Sequence, residues 1–178
     1  MLDLRFVARD LRRLDEVSAE VIACSIYRDE RPLAGLAGLL DWRLAGRLSR
    51  LAKQGFLLGE VGELLAVPVR PRLPFDKILV AGLGPRSTFG DATFKKVLER
   101  TMNALVGLQV KKAVVELPGR GDEAITPERA AEILLDRLGD DERDALTFVE
   151  DPSGQQRIEK HAQERRRTAL RVENARAR

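Results

Sequence analysis

Short apolar runs alternate along this chain with segments in which apolar residues recur every three or four positions. The runs Ile78–Ala81 and Ala113–Val115 are apolar at consecutive positions, which is typical of central, largely parallel strands covered by helices on both faces. Together with the turn residues that bound them, the apolar runs predict six strands: Leu4–Ala8, Val21–Tyr27, Leu64–Val69, Lys77–Leu83, Lys112–Leu117 and Ala145–Val149.

Two segments between predicted strands have apolar residues at the spacing of a helix. Leucines at positions 36, 40, 44, 48 and 51 share one helical face. This spacing predicts a single helix Leu36–Lys53, with Asp41 on its outward face and Gly55 at its C-terminal cap. A second helix is predicted from Phe94 to Leu108 by the same criterion.

Two later helices are predicted from their caps. Thr126 is a favourable N-cap residue and Pro127 suits the first helical position, so a helix is expected from there to Gly139. Ser153, with Gln156 three residues later, fits a capping box that would start a last helix through the basic C-terminal segment. Strands that alternate with helices of this length predict an α/β domain of three layers, α/β/α, with a mixed, mostly parallel sheet.

Length and composition fit one globular domain. The chain has 178 residues, of which 44% are hydrophobic and 33% are charged. One Cys and one His exclude a disulfide scaffold, a zinc finger and a His-rich metal cage. No window approaches the ~18–20 apolar residues that a membrane span needs, and charged residues interrupt the first ten positions. We therefore expect a cytoplasmic protein with no membrane partner.

The positive charge is concentrated at the C-terminal end. The stretch from position 156 to 178 contains eight Lys or Arg residues and three Glu, and it carries a net charge of +5, whereas the preceding residues carry −2. The sequence pI of about 9.3 therefore describes the tail rather than the domain.

Five segments occur in an order and spacing that resemble a known family. They are Ala34–Asp41, Lys53–Phe56, Gly59–Glu63, Ile78–Pro85 and Ala113–Pro118. Their succession is similar to the N-terminal domain of the M17 (leucyl/cytosol) aminopeptidases, over roughly residues 2–150. The resemblance implies a macro-domain-like fold that, in the family, precedes a larger metallopeptidase domain within a hexamer.

The residues that carry aminopeptidase activity in that family have no counterpart among these 178 residues. In the family they are a Lys and several Asp or Glu that bridge two metals, together with the signature Asn-Thr-Asp-Ala-Glu-Gly-Arg. The resemblance therefore implies an accessory domain, here residues 1–151, followed by a basic helical or frayed tail, residues 152–178. We expect no catalytic residue, no metal and no cofactor.

A candidate phosphate site follows the predicted fourth strand. Gly82, Gly84, Arg86 and Ser87 lie between a strand and a helix, where backbone N–H groups can hold a phosphate. However, Pro85 removes one donor and Ser87 stands where a dinucleotide fingerprint has its third glycine. A tight strand-to-helix turn explains the same glycines.

Macro domains that bind ADP-ribose suggest a second candidate site, in the loop before the first predicted helix. Gly35 and Gly38 could let the backbone approach a pyrophosphate, whereas Asp29 and Glu30 would repel it. A vestigial pocket is the preferred interpretation, and a working nucleotide pocket is the alternative.

Other polar groups give ordinary structural expectations. Asp122 and Glu123 lie beside glycine and predict a solvated turn. Cys24 lies within an apolar strand and predicts a buried, inert thiol.

The basic tail allows three interpretations: docking on a protein partner or a second copy, binding a nucleic-acid backbone, or a solvated end. The favoured function is a non-catalytic binding or assembly module that acts through its surface. The alternatives are a nucleotide-binding macro domain and an accessory subunit of a separately encoded M17 enzyme. The candidate contact residues in the tail are Arg157, Lys160, Arg165, Arg166, Arg167 and Arg171.

Overall fold

The computed structural model describes residues 4–138 and 146–176, and within them six strands form one sheet in the order β1-β6-β5-β2-β4-β3. All neighbouring strands are parallel except β3, which pairs antiparallel with β4. The mixed, mostly parallel sheet confirms the predicted fold class. The predicted start of the last strand, Ala145, lies outside the described residues. The strands are β1 (Arg5–Val7), β2 (Val21–Ile26), β3 (Leu64–Pro68), β4 (Lys77–Gly82), β5 (Ala113–Glu116) and β6 (Leu146–Val149).

Helices cover both faces of the sheet. In β2, Val21 and Ala23 face a core shared with α4, α5 and α6, while Ile22 and Cys24 face a second core shared with α1, α2 and α3. The alternation gives the three predicted layers, and Cys24 is buried as expected. Over the described part of the chain the helices are α1 (Leu11–Asp15), α2 (Gly35–Arg43), α3 (Arg47–Lys53), α4 (Asp91–Gly107), α5 (Pro127–Arg137) and α6 (Pro152–Arg176), with a 3-10 turn at Arg86–Thr88.

The prediction of one helix from Leu36 to Lys53 was wrong, because the helix is interrupted between α2 and α3. Ala45 and Gly46 both have positive φ, 53° and 76°, which ends α2. Asp41 is buried rather than outward-facing, and its Oδ1 accepts hydrogen bonds from the backbone N–H groups of Leu48 (2.7 Å) and Ser49 (3.2 Å). The Asp41 carboxylate thus satisfies first-turn donors of α3 and fixes the angle between the two helices.

Helix α5 begins as predicted. The Thr126 hydroxyl accepts from the backbone N–H of Arg129 at 3.3 Å, and Pro127 is the first helical residue. Helix α5 ends at Arg137, and the predicted terminator Gly139 lies outside the described residues.

The predicted cap of the last helix was wrong by two residues. Helix α6 starts at Pro152, and the carboxylate of Asp151 accepts from the N–H of Gly154 at 2.8 Å. Ser153 is already inside the helix, because Pro152 lacks an N–H and fits the first helical position better.

Helix α6 runs alongside α5 in the same direction. Ile158 and Ala162 are buried in the core, and Arg157 forms two hydrogen bonds with the Glu128 carboxylate at 2.6 and 2.7 Å. About two helical turns later, Arg165 forms an ion pair with Asp136. The first half of α6 is therefore part of the folded body. None of the helices described here is long and apolar enough to cross a membrane.

Candidate functional site

A crevice lies where the parallel strands β2, β4 and β5 end. Their carboxyl ends meet at one edge of the sheet, so the segments that follow them converge there, as ligand sites in α/β sheets do. The crevice has a volume of about 40 Å³. It is lined by Ser25, Tyr27, Glu30, Ala34, Gly35, Leu83, Glu116, Gly119, Gly121 and Asp122.

The volume of the crevice limits what it can hold. Pockets for nucleotide-sized ligands measure roughly 300–1,000 Å³. About 40 Å³ accommodates water molecules but not a nucleotide. The geometry of the lining residues explains why so little space is left.

Arg86 is held by neighbouring side chains. Its Nη2 lies 2.5 Å from Oδ2 of Asp122, and its guanidinium lies 5.5 Å from the centre of the Tyr27 ring. The Tyr27 hydroxyl donates to Oδ1 of the same Asp122 at 3.2 Å, and burial, followed by the negative charge of Asp122, raises the pKa of Tyr27. The expectation of a solvated turn at Asp122 was wrong, because its carboxylate is the centre of this cluster.

An aromatic pair closes another side of the crevice. Tyr27 and Phe89 pack edge to face with ring centres 5.8 Å apart. A Cβ added to Gly119 would lie 2.4 Å from Cζ of Phe89. Gly119 is therefore a glycine because the Phe89 ring occupies the space of a side chain.

The glycines of the predicted phosphate turn are packed against the segment 59–63. A Cβ on Gly82 would lie 2.1 Å from the carbonyl oxygen of Glu60, and one on Gly84 would lie 2.4 Å from Cγ2 of Val61. The Gly84 N–H donates to the carbonyl of Gly59 at 2.7 Å. These contacts give both glycines a packing role.

The remaining predicted nucleotide residues are spread around the crevice. Gly35 lines it and starts α2 with φ of 56°. Gly38 lies within α2, where an added Cβ would meet the carbonyl of Leu33 at 2.5 Å. Ser87 is exposed in the 3-10 turn, and Arg86 is in the ion pair described above. Phosphate binding by this set stays a prediction.

Glu116 lies at the base of the crevice, at the end of β5. It is only 5% exposed, and its Oε1 lies 3.2 Å from Nε of Arg9 without the alignment of a hydrogen bond. Burial raises the pKa of Glu116 to about 7, although Arg9 opposes the shift. Arg9 also donates to the backbone carbonyl of Gly121 at 3.0 Å and so ties β1 to the loop that follows β5.

A second buried ion pair fixes the other side of that loop. Arg120 donates from Nε and Nη2 to the two carboxylate oxygens of Glu150 at 2.7 and 2.8 Å, and from Nη1 to the carbonyl of Ile125 at 2.7 Å. Both side chains are at most 3% exposed. The pair holds Gly119 and Gly121 in place as crevice walls.

Sequence reasoning missed Arg9, Glu116, Arg120 and Glu150. Two of them carried a usable signal, since Glu116 interrupts an apolar strand and Glu150 directly follows one. A carboxylate in such a position is buried by its strand and needs a cation. Which cation it finds depends on the tertiary fold.

The charged residues that line the crevice are all acidic. Glu30, Glu116 and Asp122 all line it, and the pKa of Glu30 is raised by burial and then by the charge of Asp122. Paired carboxylates disfavour a pyrophosphate at this edge. Within residues 4–138 and 146–176, no three His, Cys, Asp or Glu side chains are placed to hold a metal ion.

The predicted contact residues of the tail fall into two groups. Arg157 and Arg165 are paired with acidic residues of α5. The other four are exposed on α6: Lys160, Arg166, Arg167 and Arg171.

A second exposed region lies on the opposite side of the sheet, around α3. Trp42, the one tryptophan of the sequence, is 75% exposed at the end of α2, and Phe56 is 64% exposed just after α3. Arg47, Arg50 and Lys53 lie between them. These five residues are called the α2–α3 surface below.

Comparison with known proteins connects this arrangement to a family. Residues 21–142 match the N-terminal domain of the cytosol aminopeptidase family. The chain belongs to this family. A probable cytosol aminopeptidase of Pseudomonas fluorescens (strain Pf0-1) is 33% identical over 99 residues, which cover 56% of this chain and 19% of that protein.

A second relative, from Azotobacter vinelandii (strain DJ / ATCC BAA-1303), is also a probable cytosol aminopeptidase. It is 34% identical over 110 residues, which cover 60% of this chain and 22% of that protein. The chain thus spans about a fifth of the length of the curated relatives that it matches.

Solved structures confirm the macro-domain-like fold. The macrodomain of Oceanobacillus iheyensis with ADP superposes with a TM-score of 0.67 at 12% identity, covering 87% of this chain and 88% of that one. A mutant of tomato leucine aminopeptidase gives 0.60 at 16% identity, covering 90% of this chain and 36% of that one. At these identities the likeness concerns the fold alone.

Proposed function

We propose that this cytosol aminopeptidase N-terminal domain is a non-catalytic binding and assembly module that acts through its surface in the cytoplasm. The observation that carries the proposal is the crevice of about 40 Å³, whose lining residue Asp122 forms an ion pair with Arg86. A crevice of this size leaves little room for a ligand, which makes the exposed elements the better candidates for contact.

Two exposed regions are the proposed contact elements. The first is the α2–α3 surface, where large aromatic side chains are exposed to solvent. The second is the part of α6 that follows Arg165, where Arg166, Arg167 and Arg171 are exposed together with Leu170. Exposed aromatic and Arg side chains are enriched at protein interfaces.

Sedimentation velocity tests the assembly role. The full chain is compared with a chain that ends after Arg166, which retains the buried Ile158 and Ala162 and both ion pairs to α5. Trp42→Ala is measured in parallel, and Arg70→Ala, which removes an exposed pair elsewhere, is the control. We expect a full-chain oligomer that dissociates in one or both variants. A monomer at every concentration, with no partner recovered on an affinity column, would contradict the proposal.

Nucleotide binding is the second candidate, favoured by the likeness to a macrodomain solved with ADP. Titration calorimetry with ADP-ribose separates the two functions. Heat with a dissociation constant in the micromolar range, abolished by Gly35→Val, supports a nucleotide pocket. The absence of heat at millimolar ADP-ribose removes this candidate.

A third candidate, an accessory subunit of a separately encoded catalytic chain, is supported by the match of residues 21–142 to the N-terminal domain of the family. Mixing the protein with a family catalytic domain and measuring leucine anilide hydrolysis tests it. Activity that exceeds the sum of the separate components supports this candidate, and purely additive activity removes it.

A further inference from the structure

The segment 42–59 contains four basic residues and no acidic residue. The tail holds a second run of cations without an acid, Arg165 to Arg171, but that run contains no aromatic residue. One of the four, Arg43, is neutralised by Asp15 through two hydrogen bonds at 2.9 and 3.4 Å. The uncompensated charge is therefore carried by α3.

The three cations of α3 have no acidic partner among the described residues. Arg47 donates to the backbone carbonyl of Pro68 at 2.7 Å, and Arg50 donates to that of Ala45 at 2.7 Å. A carbonyl orients a guanidinium without cancelling its charge, and each Arg retains further N–H donors. Lys53 is exposed at the last residue of the helix.

The aromatic residues of the α2–α3 surface flank this charged helix. The N–H of Ala45 donates to the carbonyl of Trp42, and the guanidinium of Arg50 binds Ala45 itself. At the other end, the N–H of Phe56 donates to the carbonyl of Leu51. Trp42 and Phe56 are thus tied to the two ends of a helix about 10 Å long.

We infer that the α2–α3 surface binds single-stranded nucleic acid, with Arg47, Arg50 and Lys53 along the phosphates and with Trp42 and Phe56 stacked on bases. Proteins of this kind combine a cationic track with exposed aromatic rings on which bases stack. The three cations of α3 can contact about three phosphates of such a strand.

The same features favour a nucleic acid over an acidic protein surface. An acidic peptide would satisfy the three cations, but it would leave two aromatic rings at opposite ends of the helix without a function. The tail offers cations but no aromatic residue, since positions 152–178 contain no Phe, Trp or Tyr. This inference goes beyond the proposed assembly role, which needs no nucleic acid.

Trp42 provides a direct test, because it is the one tryptophan of the chain. The full protein is titrated with a ten-nucleotide oligothymidylate at low salt while the tryptophan emission is recorded. Stacking should quench the emission, and the logarithm of the binding constant should fall with the logarithm of salt concentration with a slope of about −2, as expected for about three phosphate contacts to a single strand.

Variants assign the binding to this surface, with affinity measured by the anisotropy of a labelled oligonucleotide. Lys53→Glu and Phe56→Ala should each weaken binding about tenfold or more. Arg166→Ala/Arg167→Ala removes two cations from α6 and should change the affinity less than about twofold. All of these side chains are exposed, and thermal unfolding checks that the variants remain folded.

Three results would overturn the inference: no quenching at 50 mM salt or below, equal quenching by polyglutamate, or an equal loss of affinity in the α6 variant. Sedimentation of the same samples without oligonucleotide reports on the assembly role separately. The two proposals can therefore fail independently.

Discussion

The crevice and the α2–α3 surface both contain arginine and aromatic side chains, but the two regions use them differently. Beside the crevice, Arg86 lies against Tyr27 and forms an ion pair with Asp122, so its charge has a partner within the fold. On the α2–α3 surface, Arg47 and Arg50 bind only backbone carbonyls, and Trp42 is exposed. The comparison teaches that the cation beside the crevice has an acidic partner within the fold, while charge and aromatic area remain available on the α2–α3 surface.

The largest expected effect tests whether the loop after β5, which carries Gly119 and Gly121, is held rigidly. Arg120→Met leaves the Glu150 carboxylate buried without its cation, and we expect the free energy of unfolding to fall by about 3–5 kcal/mol in urea denaturation. Arg70→Ala breaks an exposed pair with Asp76 and should cost less than about 1 kcal/mol. Equal effects would mean that water reaches Glu150 and that the loop is not held closed.

The second effect is a pH dependence that originates in the crevice. The pKa of Glu116 rises from its usual 4.5 to about 7, mainly because of burial. Between these pH values the folded protein keeps a proton that the unfolded chain releases, so this group makes stability fall as the pH rises through the window. The full contribution amounts to roughly 3 kcal/mol.

Glu116→Gln isolates this contribution. Urea denaturation of both proteins at pH 5 and pH 8 should show that the wild-type protein loses stability relative to the variant as the pH rises. Arg9 and Glu150 are present in both proteins, which makes their own effects largely cancel. A stability difference that is the same at the two pH values would show that Glu116 is solvated.

The third effect concerns the wall formed by segment 59–63. Gly82→Ala places a methyl group 2.1 Å from the Glu60 carbonyl position, and we expect a loss of about 1–3 kcal/mol in thermal unfolding. Gly107→Ala is the matched control, since its added Cβ meets no atom within 4 Å and lies in α4, where alanine stabilises by up to about 1 kcal/mol. A Gly82 variant as stable as wild type would show that the segment moves away from β4.

The smallest effect is expected on the α2–α3 surface. Trp42→Ala removes a side chain that is 75% exposed, so the free energy of unfolding should change by less than about 0.5 kcal/mol. Thermal unfolding of the dilute protein measures this. A larger loss would mean that the indole packs on the body, which would remove the contrast between the two regions.

Much of the fold could be predicted because its signals are local. The six strands are apolar runs, and the start of α5 is specified by two adjacent residues, Thr126 and Pro127. Predictions failed where a side chain acts over a distance. Asp41 reaches seven residues ahead to Leu48 and separates α2 from α3, although the leucine spacing continues unchanged across the break. The cap of α6 was misplaced because two candidate caps, Asp151 and Ser153, lie within three residues.

The sequence by itself determined the alternation of strands and helices, the family and the uneven distribution of charge, because each depends on residue types at short spacing. Only the tertiary structure decided that the crevice is small. Tyr27 and Asp122 are 95 positions apart, and Arg120 and Glu150 are 30 apart. They meet because the strand order places β5 between β2 and β6, so that the loop after β5 lies beside the ends of both strands. Burial favours the pairing of these charges, and the pairs hold the loop that lines the small crevice.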